Sequence, residues 1–138
     1  MDPVKVVKRL KMAKKPELQL EIIKDAWENC DEFWTGLQMS CDKTTSIPLE
    51  KIVAIETDDG NASEFSFQEF VNLYDQITQV GADPVEAKAL VIDAAMRCEF
   101  NEWNMFYRKI LQKRLQDDLP MELIGQELSK LTGIPIVL

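Results

Sequence analysis

A chain of 138 residues, 46% hydrophobic and 29% charged, is long enough to bury a core and too apolar to stay disordered, and no stretch approaches the ~20 apolar residues of a membrane span. It has no histidine, and its three cysteines (30, 41 and 98) match no disulfide or zinc spacing; this excludes Cys–His and Ser–His–Asp nucleophiles and His-ligated zinc, and leaves the thiols free and at least half-buried. Five glycines and six prolines are too few for a loop-rich all-β protein, and a formal net charge of −8 makes a poor nucleic-acid partner unless cations gather locally.

The predicted elements are helices. Residues 1–16 carry Lys5, Lys8, Arg9, Lys11, Lys14 and Lys15 against Asp2. This basic start lacks an apolar h-region, so it is not a secretory signal and the chain reads as cytoplasmic. Asp2 and Pro3 supply the N-cap and first position of a helix whose Val4, Val7 and Leu10 share a face. Pro16 opens a second helix, with Leu18, Ile22, Ile23, Ala26, Trp27 and Cys30 on the 3.6-residue period. "DEFWTGLQMSC" (31–41) continues it or begins a short separate helix, and Gly36 weakens the pattern. The stretch 42–63 breaks the periodicity and reads as one long irregular connection with a short strand at 51–56. Ser66 and Glu69 form a capping box ahead of the stripe Phe67, Phe70, Val71, Tyr74 and Ile77, which Gly81 ends. Asp83, Pro84 and Glu86 start the next helix, whose Ala87, Leu90, Val91, Ala94 and Ala95 make a close-packing face. Asn101 caps a helix over 102–117. Pro120 starts the last, which Gly133 stops. The sum is an all-α, compact bundle of six or seven helices, a single domain over 1–138. Trp27, Phe70, Tyr74, Leu90, Val91, Phe106, Ile110 and Leu111 are its expected core.

Two acidic motifs are weak candidates for chemistry. "TDDGNASEFSFQEF" (57–70) resembles a calcium loop, but with Glu69 as the twelfth position, Gly60 and Ala62 fall where ligands belong and Ser63 where the turn glycine belongs. A capped helix after a polar turn explains the same residues. The adjacent pairs Asp58–Asp59 and Asp117–Asp118 cannot converge on one substrate and read as turn and helix-end residues. A stronger lead is "NEWNMFYRKILQKRLQDDLP" (101–120). On a continuous helix at 100° per residue, Phe106, Tyr107, Ile110 and Leu111 form an apolar face. Lys109 and Lys113 then share one flank, Arg108 lies on the other, and Arg114 sits at the helix end. Such a strip is either a solvated face or a phosphate-binding one. As exposed charges, its lysines would contribute only ~0–1 kcal/mol to stability.

The succession "FSFQEFVNLYDQITQ", "GADPVEAKALV", "NEWNMFYRKILQKRL" and "LPMELIGQEL" resembles the N-terminal helical domain of phage-type ATP-dependent DNA ligases. "ELQLEIIKDAWENCDEFWTGLQM" and "LTGIP" extend the likeness from about Pro16 to Pro135. The resemblance implies a non-catalytic domain that grips nicked duplex DNA through its phosphate backbone and minor groove. It implies work in DNA replication and repair, in the cytoplasm of a bacterial or phage-infected cell, beside adenylation and OB domains. By position Arg108, Lys109 and Lys113 match the family's backbone-contacting residues, and Arg114 completes the candidate set. The family's nucleophilic lysine stands in Lys-x-Asp-Gly. The nearest match here is Thr57-Asp58-Asp59-Gly60, so this chain alone is expected to be inactive. It needs no cofactor or metal of its own, with ATP and Mg2+ required only by a downstream catalytic domain. Family members usually carry glycine after the signature helix. Asp117 and Asp118 stand there instead, and aspartate repels phosphate. The alternative is a stand-alone helical protein–protein adaptor whose acidic surface meets a basic partner.

Overall fold

Proline and aspartate set most of the helix starts. In the computed structural model, which describes residues 2–58 and 63–136, the Val4 N–H donates to the Asp2 carboxylate at 2.8 Å and Pro3 opens α1 (Pro3–Met12). Pro16 opens α2 (Pro16–Asn29), and α3 (Asp31–Cys41) is a separate helix that starts after Cys30. Ser66 caps α4 (Phe67–Ile77): its hydroxyl accepts from the Glu69 N–H and donates to the Glu69 carboxylate. Asp83 and Pro84 start α5 (Pro84–Met96). Helix α6 covers 100–111 in three parts, α-helical Phe100–Glu102, a π-helical turn Trp103–Tyr107 and α-helical Arg108–Leu111. A 3-10 turn (Leu115–Asp118) leads to α7 (Met121–Thr132), which Gly133 closes in the left-handed region at φ 70°, where a Cβ would be strained.

Among the described residues seven helices form the expected all-α bundle around one core, with the irregular connection running between α3 and α4. Helix α1 packs on α2, α3 and the π turn of α6, α3 packs on α6 and the 3-10 turn, and α7 lies on α2. Trp103, Phe33, Phe70 and Phe106 are fully buried. Phe70 stacks on Tyr107 with ring centroids 4.4 Å apart. Gly36 does not interrupt α3. A Cβ there would lie 2.6 Å from the Phe106 ring and 2.9 Å from the Ile110 side chain, so the glycine is what lets α6 approach. All three cysteines are free, Cys30 and Cys98 buried and Cys41 half-buried.

Several expectations need correction. Trp27 is 38% exposed rather than core. Helix α2 turns Ile22, Ile23 and Ala26 inward, and Trp27 falls at the stripe's edge, edge-to-face with Trp34 at 5.8 Å. Leu90 is half-buried. The cap of α6 is Glu99, whose carboxylate accepts from the Glu102 N–H, and Asn101 lies inside the helix. The signature helix stops at Leu111, not 117. Helix α4 ends at Ile77, before Gly81, and α7 starts one residue after Pro120. No strand occurs among the described residues, and 51–56 is extended chain without a ladder partner. Residues 59–62 lie outside the described residues, and with them Asp59 and Gly60, the middle of the calcium-like loop and half of the Thr57–Gly60 motif.

Candidate nucleic-acid interface

The polar side chains of α6 divide between two tasks. One group holds the irregular connection. An extended segment with no neighbouring strand leaves its backbone groups in need of partners, and α6 supplies them from side chains. The Trp103 indole N–H donates to the Val53 carbonyl at 2.7 Å. The Asn104 amide clamps Ile55 on both sides, accepting from its N–H at 3.0 Å and donating to its carbonyl at 2.8 Å. Arg108 Nε donates to the Ile52 carbonyl at 2.9 Å. The π turn makes this reach possible. It bonds the Arg108 N–H to the Trp103 carbonyl, so residues five apart come to one face, where an α-helix would align residues three and four apart.

Lys113 belongs to the same scaffold. The chain leaves α6 at Leu111, and Lys113 takes a left-handed conformation at φ 59°. Its three N–H groups are shared among four oxygens: the Met39 carbonyl at 2.7 Å, the Thr45 hydroxyl at 2.8 Å, the Asp42 carbonyl at 3.0 Å and the Tyr74 hydroxyl. It also sits 4.9 Å from the Tyr74 ring centroid. Met39 and Asp42 lie at the end of α3, where carbonyls lack intrahelical partners and a cation is favoured. Lys113 therefore does not share a flank with Lys109. One ammonium ties α3, the connection and α4 together, a setting unlike that of the exposed charge expected from the sequence.

The second group faces outward. Lys109 Nζ lies 3.5 Å from the Asp118 carboxylate, and Lys11 Nζ from α1 lies 3.9 Å from its other oxygen. Arg114 is exposed. The two cationic segments of the sequence thus meet at one of the two aspartates that end the basic run. The turn carrying Asp118 is firmly seated. Ser40, itself buried, donates to the Gln116 side chain at 2.6 Å and accepts from the Leu115 N–H at 3.1 Å, and Leu115 is fully buried. Asp117 is exposed beside it. Arg9 on α1 pairs with Asp25 at 3.4 Å instead.

At the start of α6 lies a partly buried acid. The Ser63 hydroxyl donates to the Glu102 carboxylate at 2.6 Å, and burial pushes Glu102 above the usual carboxylate range. Burial also pushes the neighbouring Cys98 thiol up, away from the thiolate that nucleophilic chemistry requires. Nearby, the Arg97 guanidinium holds Glu69 below its ordinary value and donates to the Glu64 carbonyl. Of the four cations the sequence singles out, then, two point into the scaffold and two toward solvent. Sequence periodicity missed Lys11 as a neighbour of Lys109 and missed Trp103 and Asn104 as clamps. The one available signal was Asn104, an amide set among apolar residues.

No protein-family model matches the sequence, and no curated protein matches it. Solved structures do share the fold. The chains named Pmar-Lig_PreS3 and Pmar-Lig_Pre each align with 99% of this chain at a TM-score of 0.83 and 21% sequence identity. The aligned part makes up 32% and 31% of those chains, so this chain spans about a third of their length. At that identity the likeness is one of fold.

Proposed function

We propose that this chain is a ligase-associated, non-catalytic domain that binds duplex DNA at nicks through the phosphate backbone. The observation that carries the reading is the fold shared over 99% of the chain with part of Pmar-Lig, a name we read as that of a ligase. The outward cations support it. Lys109, Lys11 and Arg114 stand on a chain of net charge −8, and cations gathered on an acidic body suit an anionic partner. Contacts of this kind are independent of sequence, as a nick binder requires. Lys113 serves by shaping the surface, since its ammonium is engaged within the fold, and Arg108 holds the connection through Nε. ATP, Mg2+ and the adenylated lysine belong on this reading to adenylation and OB domains of a larger ligase, acting in replication and repair.

The test is fluorescence anisotropy with labelled nicked duplex over a salt series. Binding should weaken steeply with salt. Lys109→Ala and Arg114→Ala should each weaken it about equally for any sequence and lower the slope of log affinity against log salt by roughly 0.9 per lost contact. A chain whose affinity for nicked duplex is undetectable at low salt overturns the proposal. One observation favours the adaptor reading in that event. A cleft of about 500 Å³ lies between Trp27, Trp34, Leu37, Leu128 and Ile136, with Asp31 in its wall. An apolar cleft with an acidic wall suits a basic, amphipathic partner segment.

A further inference from the structure

We infer that Asp118 is a built-in counterion that stands in for a DNA phosphate between Lys11 and Lys109, and that duplex binding exchanges it for a real one; this rests on the DNA-binding reading above. Three observations point to it. First, the two lysines come from different elements, α1 and α6, and approach the two different oxygens of one carboxylate at 3.9 and 3.5 Å. A phosphodiester presents its two anionic oxygens in the same manner. Second, the acid sits on a well-held turn. Asp118 is carried on a turn fixed through Ser40, Gln116 and the buried Leu115, and its side chain is 21% exposed, against 29% for Lys109 and 46% for Lys11. Third, both separations exceed hydrogen-bond length, so each pair is an ion pair in contact with solvent. Such pairs are individually weak and open to exchange. Counting Lys11, Lys109 and Asp118 alone, the balance is one net positive charge while Asp118 is ionised and two once it is neutral.

The consequence is a domain that restrains its own grip. Part of the attraction for any polyanion is spent internally, and only a ligand that offers phosphate to both lysines together recovers it. This also explains how an acidic residue can stand at the bend without excluding DNA from the neighbouring helix.

The experiment compares the unaltered chain with Asp118→Asn, which keeps size and polarity. Anisotropy with labelled nicked duplex is measured over a salt series beside a thermal melt. Asp118→Asn should bind roughly three- to tenfold tighter at low salt, with a salt slope steeper by roughly one to two. Lys11→Ala should weaken binding more in the Asp118→Asn background than alone. In the unaltered chain, the Asp118 carboxyl carbon resonance should move when duplex is added, and this measurement needs no variant to fold. If the unaltered chain binds duplex but the variant shows the same affinity and slope, or the resonance stays fixed at saturation, Asp118 is only a clip between α1 and the turn and the inference is overturned. If only the variant binds, the DNA-binding reading fails for the unaltered chain and the inference falls with it. If neither binds, the DNA-binding reading itself fails and the inference falls with it.

Discussion

Lys113 and Lys109 stand four residues apart yet do different work. Lys113 places one ammonium on two carbonyls and two hydroxyls from three segments. Lys109 meets a single carboxylate in contact with solvent. Lys113→Met should therefore cost about 1–3 kcal/mol of stability, because half-buried carbonyl acceptors lose a charged donor. Lys109→Met should change it by less than ~1 kcal/mol. Urea denaturation of both variants checks the contrast, and equal losses would remove Lys113 from the scaffold. Glu102 gives a pH dependence of definite sign. Burial raises its folded-state value above the unfolded one, so between those values the native state holds the extra proton. Stability then falls as pH rises through that window. Glu102→Gln keeps an acceptor for Ser63 and removes the titration. Thermal melts from about pH 4 to about pH 8 should show the variant level with the parent at the acid end and more stable at the upper end. Parallel curves would mean that Glu102 titrates alike in both states.

The helices were legible where their signals are local. Asp2–Pro3, Ser66–Glu69, Asp83–Pro84 and Gly133 act within a few residues of themselves, and each marks a real terminus. Signals that depend on a distant partner were misread. The β-branched run at 51–56 looked like a strand, but its hydrogen bonds go to helix side chains. Residues 102–117 looked like one helix, but a π turn and the left-handed Lys113 rearrange the cations. Trp27 kept the period of α2, yet periodicity does not say where a buried stripe ends. The same limit applies to Gly36, which looks like a helix breaker in sequence and is a packing requirement in the fold. Alanine there gains up to ~1 kcal/mol in helix propensity. It also drives a methyl into the fully buried Phe106 and Ile110 side chains, an overpacking that typically costs about 1–3 kcal/mol. With the full propensity gain set against that cost, Gly36→Ala should be net destabilising by up to about 2 kcal/mol, readable as a lower Tm. A variant as stable as the parent would show that α6 can move back.

Across the whole molecule, the fold and its class were readable from caps and periodicity. The candidate surface was not, because it is assembled from α1, α6 and a turn that are distant in sequence. Among the described residues no helix is long and apolar enough to cross a membrane. The connection between α3 and α4 has a further implication, for the order of events in folding. Its backbone bonds reach side chains 49, 50 and 56 positions ahead in the chain. Those bonds cannot form until α6 exists, so the segment is expected to order late. Its protection against deuterium exchange should then hang on single side chains and not on a ladder. In Asn104→Ala the Ile55 amide should exchange at close to the rate of an open chain, while the Phe70 amide inside α4 stays slow. If Ile55 remains slow in that variant, packing alone orders the segment and the asparagine is dispensable.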